Sequence, residues 1–278
     1  MQCGIGNMLS TPHAHTIYVD GKNTPEEMVR GAIRQGFVSI GLSEHGRQGF
    51  DEKYCLNEES ERQYIRDVLR VRDQFSNAIC VYLGIEADAM GIVDRTKFDY
   101  VIGSKHYLGN GEARFAVDGE YKDVVHGCET LYGGDWYALV QDYFSQFANY
   151  VAAENPDVIG HFDLVTKHNE GMRHFDETDE RYQQAGISAL NLMATTGAIL
   201  EVNTGAMARG YRSAPYPSSV FLQHWHELGG RICLSSDCHD VEKLNFGYAD
   251  AIKIIKQVGF ETAWALSGDV SLFVEYPL

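Results

Sequence analysis

The sequence lacks the features that mark membrane, exported and nucleic-acid-binding proteins. It has no uninterrupted run of about 18 apolar residues, the length that a membrane-spanning helix requires. Residues 1–7 contain neither a basic region nor an apolar stretch, so we expect no signal peptide. Basic residues are outnumbered, with 23 Lys and Arg against 39 Asp and Glu. The resulting net charge of −16 disfavours binding to phosphate backbones.

Paired cysteines are absent as well. The six cysteines form no CxxC pair, and Cys80 and Cys233 lie within apolar runs. Without an export signal, we interpret them as reduced thiols in a cytoplasmic protein. What remains is an ordinary globular composition, with 44% hydrophobic and 22% charged residues. Because no linker or change of composition divides the 278 residues, we predict a single domain over residues 1–278.

Short apolar runs alternate regularly with amphipathic segments along the chain. The segments predicted as strands are 8–11, 38–43, 79–85, 100–104, 158–160, 199–202 and 232–236. The predicted helices lie near residues 25–35, 64–75, 136–153 and 182–195, with one more before the last strand. Strands that alternate with helices predict βα units around a parallel sheet. Residues 108–132, rich in glycine and polar groups, predict a long loop that caps a site.

Residues that can bind metals follow six of the seven predicted strands. The first strand leads into His13-Ala14-His15 and the last into Asp237-Cys238-His239, and this spacing puts both side chains of each pair on one face. The residues that follow the strands between them are His45, Glu86, His106 and His161. In a barrel, the carboxyl ends of all strands meet at one mouth, whereas an open sheet binds its ligand at one switch point. The pattern therefore favours a TIM-like barrel with a metal site at that mouth.

The order of these residues resembles the PHP (polymerase and histidinol phosphatase) family, and within it the histidinol-phosphate phosphatases. The segments that carry the resemblance, between residues 9 and 240, are PHAH, SEHG, GIEAD, DYVIGSKHYL, GHFDL, EVNTG, YPS and SSDCH. The resemblance implies an α/β fold of the distorted (β/α)7 barrel type, which agrees with the seven strands predicted from the residues. It also implies three divalent transition-metal ions. Histidine and carboxylate ligands suit Zn, Fe or Mn and do not distinguish among them.

The resemblance also implies which residues hold each ion. The ligands implied for the first ion are His13, His15, Glu86 and Asp237. The ligands implied for the second ion are Glu86, His106 and His161, with Glu86 bridging the two ions. The ligands implied for the third ion are Asp20, His45 and His239. Asp20 stands where some relatives use histidine, which leaves the metal preference of the third site open. The residues expected to be catalytic are Glu86, Asp237 and His239.

Cationic and polar side chains near the strand ends are candidates for binding the substrate. They are Lys105, Asn203, Arg209 and Arg212. A guanidinium group can clamp phosphate oxygens, although for either arginine a solvated position in the loop is an equal alternative. Lys105 can likewise reach a phosphate or remain solvated.

Three further residues are assigned supporting roles. Asp163 and Glu44 are interpreted as groups that orient the ligating histidines His161 and His45. Cys238 is interpreted as a packing residue rather than a redox group.

The activity implied by the resemblance is hydrolysis of L-histidinol phosphate to L-histidinol and phosphate, a step of histidine biosynthesis. Attack by a hydroxide held between two ions would drive the reaction. We therefore expect a small-molecule phosphate monoester as partner, with no nucleic acid and no membrane, and the oligomeric state stays open. The alternatives are a PHP phosphoesterase acting on phosphotyrosine or a nucleotide, and a metal-dependent amidohydrolase. A PHP module of a DNA polymerase and a metal-free binding barrel are less favoured.

Overall fold

The computed structural model describes residues 9–267 and 271–278. Two predictions concern residues outside these ranges. They are the absence of a signal peptide at residues 1–7 and the start of the first predicted strand at residue 8. The strands are Ser10–Thr11 (β1), Ser39–His45 (β2), Cys80–Asp88 (β3), Tyr100–Ser104 (β4), Tyr107–Leu108 (β5), Phe115–Ala116 (β6), Val158–Ile159 (β7), Ile199–Asn203 (β8), Arg231–Ser235 (β9), Thr262–Leu266 (β10) and Phe273–Pro277 (β11). The helices are Pro25–Arg34 (α1), Glu58–Phe75 (α2), Tyr121–Tyr132 (α3), Trp136–Glu154 (α4), Glu180–Met193 (α5), Gly205–Ala208 (α6), Ser219–Glu227 (α7) and Tyr248–Val258 (α8).

Local sequence signals account for the way in which α1 begins and packs. The Thr24 side chain accepts a hydrogen bond from the backbone N–H of Glu27, and the Glu27 carboxylate accepts one from the backbone N–H of Thr24. Met28, Val29 and Ala32 recur at helical spacing and are buried against the sheet. This first βα unit therefore forms where the sequence predicts it.

The seven predicted strands form one parallel sheet in the order β1, β2, β3, β4, β7, β8 and β9. Beyond the ends of β1 and β9, Ala14 and Cys238 form a parallel bridge, and the N–H of His15 donates to the carbonyl of Cys238 at 2.8 Å. This bridge joins the two outer strands of the seven at their carboxyl ends. The α/β fold with a distorted, TIM-like barrel is confirmed, and the H-x-H and D-x-H segments lie side by side at its mouth.

The structure contains three C-terminal elements, α8, β10 and β11, that lie beyond the last predicted strand. β10 pairs with β9 in parallel, and β11 pairs with β10 in the antiparallel sense. The hydroxyl of Ser39, at the start of β2, donates to the carbonyl of Leu266 at 2.9 Å. The ring of Phe273 packs edge-on against Tyr100, the first residue of β4. The chain terminus therefore covers the amino ends of the strands, opposite the mouth.

The prediction of a long loop over residues 108–132 is wrong. The segment contains the hairpin of β5 and β6 and then the 12-residue helix α3. Val124, Gly127 and Cys128 form the buried face of α3, but Gly127 interrupts its apolar pattern. A Cβ atom on Gly127 would lie 2.4 Å from the ring of Phe115, so the glycine allows the hairpin and the helix to pack closely. None of the helices in the described ranges is long and apolar enough to cross a membrane.

Candidate metal centre

All nine predicted metal ligands converge at the mouth of the barrel, around the carboxylate of Glu86. Glu86 is buried, and the register of β2 with β3 places it directly beside His45. Its Oε2 atom lies 2.7 Å from Nδ1 of His45, 3.4 Å from Nε2 of His13 and 3.6 Å from Nε2 of His15. One oxygen of Glu86 thus faces three of the predicted histidine ligands.

The second oxygen of Glu86 faces the histidines that follow β4 and β7. Oε1 lies 2.8 Å from Nε2 of His161 and 3.4 Å from Nε2 of His106. It also accepts a hydrogen bond from the hydroxyl of Ser104 at 2.7 Å. The two oxygens of Glu86 therefore face different sets of histidines.

Asp237 completes the group around His13 and His15. Its Oδ1 atom lies 3.3 Å from Nε2 of His15 and 3.8 Å from Nε2 of His13. Its backbone has a φ of 44°, which is uncommon for a residue other than glycine and turns the chain sharply after β9. The turn allows both Asp237 and His239 to face the mouth.

The outermost group consists of His15, Asp20, His45 and His239. Oδ2 of Asp20 lies 3.1 Å from Nε2 of His239 and 3.9 Å from Nε2 of His45. A Cβ atom on the next residue, Gly21, would lie 2.6 Å from the backbone of His15, so glycine allows the Asp20 loop to approach. This group is buried at His15 and exposed at Asp20, so it faces the solvent side of the centre.

The chemistry of these side chains fits divalent metal ions. The described residues contain three overlapping groups of histidine and carboxylate side chains, and within each group the ligand atoms lie within 4.8 Å of one another. Among the described residues, the buried atoms Nε2 of His13, both ring nitrogens of His15 and Oε2 of Glu86 find no hydrogen-bond partner. Burial opposes the ionisation of Glu86, but the neighbouring His45, His13 and His106 outweigh it and hold the pKa of Glu86 well below its usual range. An anionic carboxylate among such nitrogens is a suitable metal ligand.

Three buried carboxylates stand behind the histidines. Oε2 of Glu201 lies 3.0 Å from Nδ1 of His13, and Oδ2 of Asp88 lies 3.2 Å from Nδ1 of His106. Oε2 of Glu44 lies 3.7 Å from Nδ1 of His15. Carboxylates in such positions orient the rings of metal-bound histidines. This role of Glu201 and Asp88 is not predicted from the sequence, although both residues lie in the segments EVNTG and GIEAD on which the resemblance depends.

The structure corrects the two orienting roles that the sequence suggested. Glu44 faces His15 rather than His45, because neighbouring residues of a strand point to opposite faces. Asp163 contacts the hydroxyl of Tyr182 and the backbone N–H of Ser218 instead of His161. Burial raises the pKa of Asp163 to about 6.

Of the four candidate substrate contacts, Arg209 lies at the centre. Its guanidinium donates to Oδ2 of Asp237 and to Nδ1 of His239, each at 3.0 Å. Arg212 instead forms a two-pronged ion pair with Glu177, with both N–O distances 2.9 Å. The interpretation of Arg212 as a phosphate clamp therefore finds no support in its position.

Lys105 and Asn203 are also engaged by other residues of the chain. Lys105 is buried and donates to Oε1 of Gln146 on α4 at 2.8 Å, because the alternation of the chain turns it away from His106. Asn203 donates to Glu201 at 2.8 Å and accepts a hydrogen bond from the backbone N–H of Gly205 at 2.8 Å. Asn203 thus holds Glu201 in place.

A cavity of about 980 Å³ opens above the centre. Asp20, His45 and His106 line its inner end. Its walls include most of the residues between 111 and 123, so the segment predicted to cap a site does line one, although as a hairpin and a helix. The guanidinium of Arg114 lies 3.5 Å from the centre of the Phe50 ring and joins two sides of this cavity. The cavity gives a substrate access to the predicted ligands.

The fold and the site define an α/β barrel with overlapping groups of potential metal ligands at the carboxyl ends of its strands. The model of the PHP domain family matches residues 12–205, and the chain belongs to this family. It is 29% identical to the probable histidinol-phosphatase of Deinococcus radiodurans, over 91% of this chain and 95% of that protein.

Two solved structures share the fold. The hisK protein of Listeria monocytogenes matches with a TM-score of 0.76 at 19% identity, over 87% of this chain and 99% of that chain. The histidinol phosphate phosphatase of Lactococcus lactis matches with a TM-score of 0.64 at 23% identity, over 94% of this chain and 97% of that chain. The latter structure is a complex with zinc, L-histidinol and phosphate.

Proposed function

We propose that this protein is a metal-dependent phosphomonoesterase that hydrolyses L-histidinol phosphate to L-histidinol and phosphate. The observation that carries the proposal is the buried Glu86 carboxylate, which faces a separate set of histidines with each oxygen at the inner end of an open cavity. Support for the substrate comes from the Lactococcus lactis enzyme, whose structure contains L-histidinol and phosphate, and from the name of the Deinococcus radiodurans relative.

Three ions fit the three ligand groups better than one. The nine predicted ligands exceed the number that a single ion coordinates. The first and second groups share Glu86, and Asp20, His45 and His239 belong to the outermost group. Divalent ions there would activate a water molecule and neutralise phosphate oxygens, which is what phosphate ester hydrolysis requires. Zn, Fe and Mn all suit these ligands.

The protein's own residues position the phosphate and the ligands. Arg209 contacts both Asp237 and His239, so its guanidinium is placed to donate hydrogen bonds to a phosphate beside them. Glu201 and Asp88 hold the rings of His13 and His106 in fixed orientations.

We retain Glu86, Asp237 and His239 as catalytic residues of this proposal. Asp237 and His239 contact Arg209, and Glu86 faces a separate set of histidines with each of its oxygens.

A phosphoesterase with a larger substrate is the second candidate. The cavity of about 980 Å³ provides room for phosphotyrosine or a nucleotide as well as for histidinol phosphate. Tyr107 and Tyr121 are among the residues that line it.

Phosphate release tests the proposal directly. We would measure kcat/KM for histidinol phosphate, phosphotyrosine, phosphoserine and adenosine monophosphate under the same conditions. We expect histidinol phosphate to be the best substrate of the set. A competitor that is better by more than about tenfold, or ~1.4 kcal/mol of transition-state stabilisation, would show that the substrate is wrong while the phosphatase activity stands. Hydrolysis of amides without phosphate release would instead favour an amidohydrolase.

A further inference from the structure

Asp118 lies in the cavity, next to the metal centre. It follows β6, and the N–H of the preceding residue, Val117, donates to the carbonyl of His106 at 2.7 Å. The side chain of Val117 is buried and anchors this part of the chain. Asp118 also belongs to the cavity wall, together with His106 and His45. Its carboxylate is therefore held beside the position where a phosphate ester would bind.

The carboxylate of Asp118 is available to a ligand. Within residues 9–267 and 271–278 its oxygens accept no hydrogen bond, and the one cation paired with them is Lys167, with Nζ 3.8 Å from Oδ2. Lys167 donates instead to the backbone carbonyl of Asp118 and lies over the ring of Tyr211. Because the Asp118 side chain is 29% exposed, its oxygens can be reached from the cavity.

The other acidic residues of the cavity are engaged or lie farther out. Asp51 accepts a hydrogen bond from the hydroxyl of Tyr107 at 2.6 Å. Glu120 and Asp123 are exposed at the start of α3, on the outer side of the cavity. Asp20 belongs to the outer group of predicted metal ligands. Asp118 is thus the acid of the cavity wall that lies near the centre and whose carboxylate accepts no hydrogen bond from the described residues.

The proposed substrate carries the complementary charge at the right place. In histidinol phosphate, an ammonium group sits on the carbon next to the one that bears the phosphate ester. The ammonium of a substrate whose phosphate lies at the centre is therefore within reach of the cavity that His106 and Asp118 line. A substrate without this cation would leave the Asp118 carboxylate with Lys167, 3.8 Å away, as its one paired cation among the described residues, and a substrate carboxylate would be repelled.

We propose that Asp118 binds the ammonium group of the substrate and makes the site selective for phosphate monoesters of 2-amino alcohols. This inference rests on the proposed phosphatase function and adds a determinant of specificity to it.

Matched pairs of substrates test this role. One pair is histidinol phosphate and its analogue without the amino group; the other is phosphoethanolamine and propyl phosphate. The wild-type protein should prefer the amine in both pairs, measured as the ratio of kcat/KM values. The variant Asp118→Asn should reduce this ratio by about tenfold to hundredfold, the range for one hydrogen bond to a charged group. Asp123→Asn, which changes another acid of the cavity wall, is the control and should keep the ratio.

Several outcomes would overturn the role of Asp118. The first is a wild-type protein that shows no preference for the amine in either pair. The second is a variant Asp118→Asn whose kcat/KM falls equally for both members of a pair. The third is loss of bound metal from that variant, measured by elemental analysis. If Asp118→Asn does not fold, Asp118→Ser must change the ratio in the same direction. A wild-type protein that rejects histidinol phosphate but prefers phosphoethanolamine to propyl phosphate would disprove the proposed substrate and still support Asp118.

Discussion

Glu201 and His13 form a fully buried pair, with Oε2 of the carboxylate 3.0 Å from Nδ1 of the ring. Glu201 lies on β8, the one predicted strand that no predicted metal ligand follows. Its other oxygen accepts hydrogen bonds from the backbone N–H of His161 and from the side chain of Asn203. A single carboxylate therefore positions two predicted ligands, one through its side chain and one through its main chain.

The variant Glu201→Gln should weaken this arrangement without removing a ligand. We expect metal affinity or kcat/KM to fall by about 10–100-fold, the range for residues that orient metal ligands. The measurement is activity as a function of free Zn²⁺ in a metal buffer, with the surface variant Glu227→Gln as control. Equal metal dependence in wild type and Glu201→Gln would contradict this role.

Glu86→Ala should be the most damaging single substitution at the centre. Because each oxygen faces different histidines, its loss affects two groups of ligands at once. We expect turnover to fall by more than about a hundredfold, beyond the range for residues that only orient ligands. Steady-state assays and elemental analysis of the same sample measure both effects. Near-wild-type turnover would show that Glu86 does not bridge.

Metal analysis tests the number of ions. Protein purified without chelator should contain close to three transition-metal equivalents per chain, and removal by a chelator should abolish activity and lower Tm, because buried carboxylates would lose their counter-charges. Readdition of Zn²⁺ or Mn²⁺ should restore both. Full activity with one equivalent would exclude a centre of three ions.

Substitution of the two arginines that follow α6, Arg209 and Arg212, should have different effects. Arg209→Ala should raise KM by about tenfold to hundredfold, the range for a charge-assisted hydrogen bond to phosphate. Arg212→Ala should lower the free energy of unfolding by about 1–3 kcal/mol, because Glu177 loses its partner. Substrate kinetics and urea unfolding on both variants make the comparison. A larger effect on KM from Arg212→Ala would reverse these assignments.

Cys238→Ala should be nearly silent in catalysis. The thiol donates to the carbonyl of Asp240 at 2.8 Å, and burial raises its pKa to about 12, so little thiolate forms near neutral pH. We expect unchanged kcat and a stability cost of about 1 kcal/mol. Activity before and after a thiol-modifying reagent provides the check. Loss of turnover in Cys238→Ala would contradict the packing role.

The sequence by itself determined the barrel and the residues that gather at its mouth. Strand alternation places the side chains of His13 and His15 on one face, and parallel strands bring Glu86 and His161 to the same end. These relations depend on local periodicity and on the direction of the chain, and both can be read from the order of residues. The helix over 121–132 was not predicted from the sequence because Gly127 interrupts its apolar pattern. This glycine is required for close packing against Phe115.

Only the tertiary structure decided which partner each polar side chain has. Arg209 and Arg212 are similar in sequence context, yet one contacts the centre and the other pairs with Glu177. Glu201 and Asp118 likewise acquire their positions from strands and helices far along the chain. The energy of a buried charge depends on the atoms packed around it, and these come from distant segments. Periodicity predicts the face of a strand or helix on which a side chain lies, whereas tertiary packing determines which residue that side chain contacts.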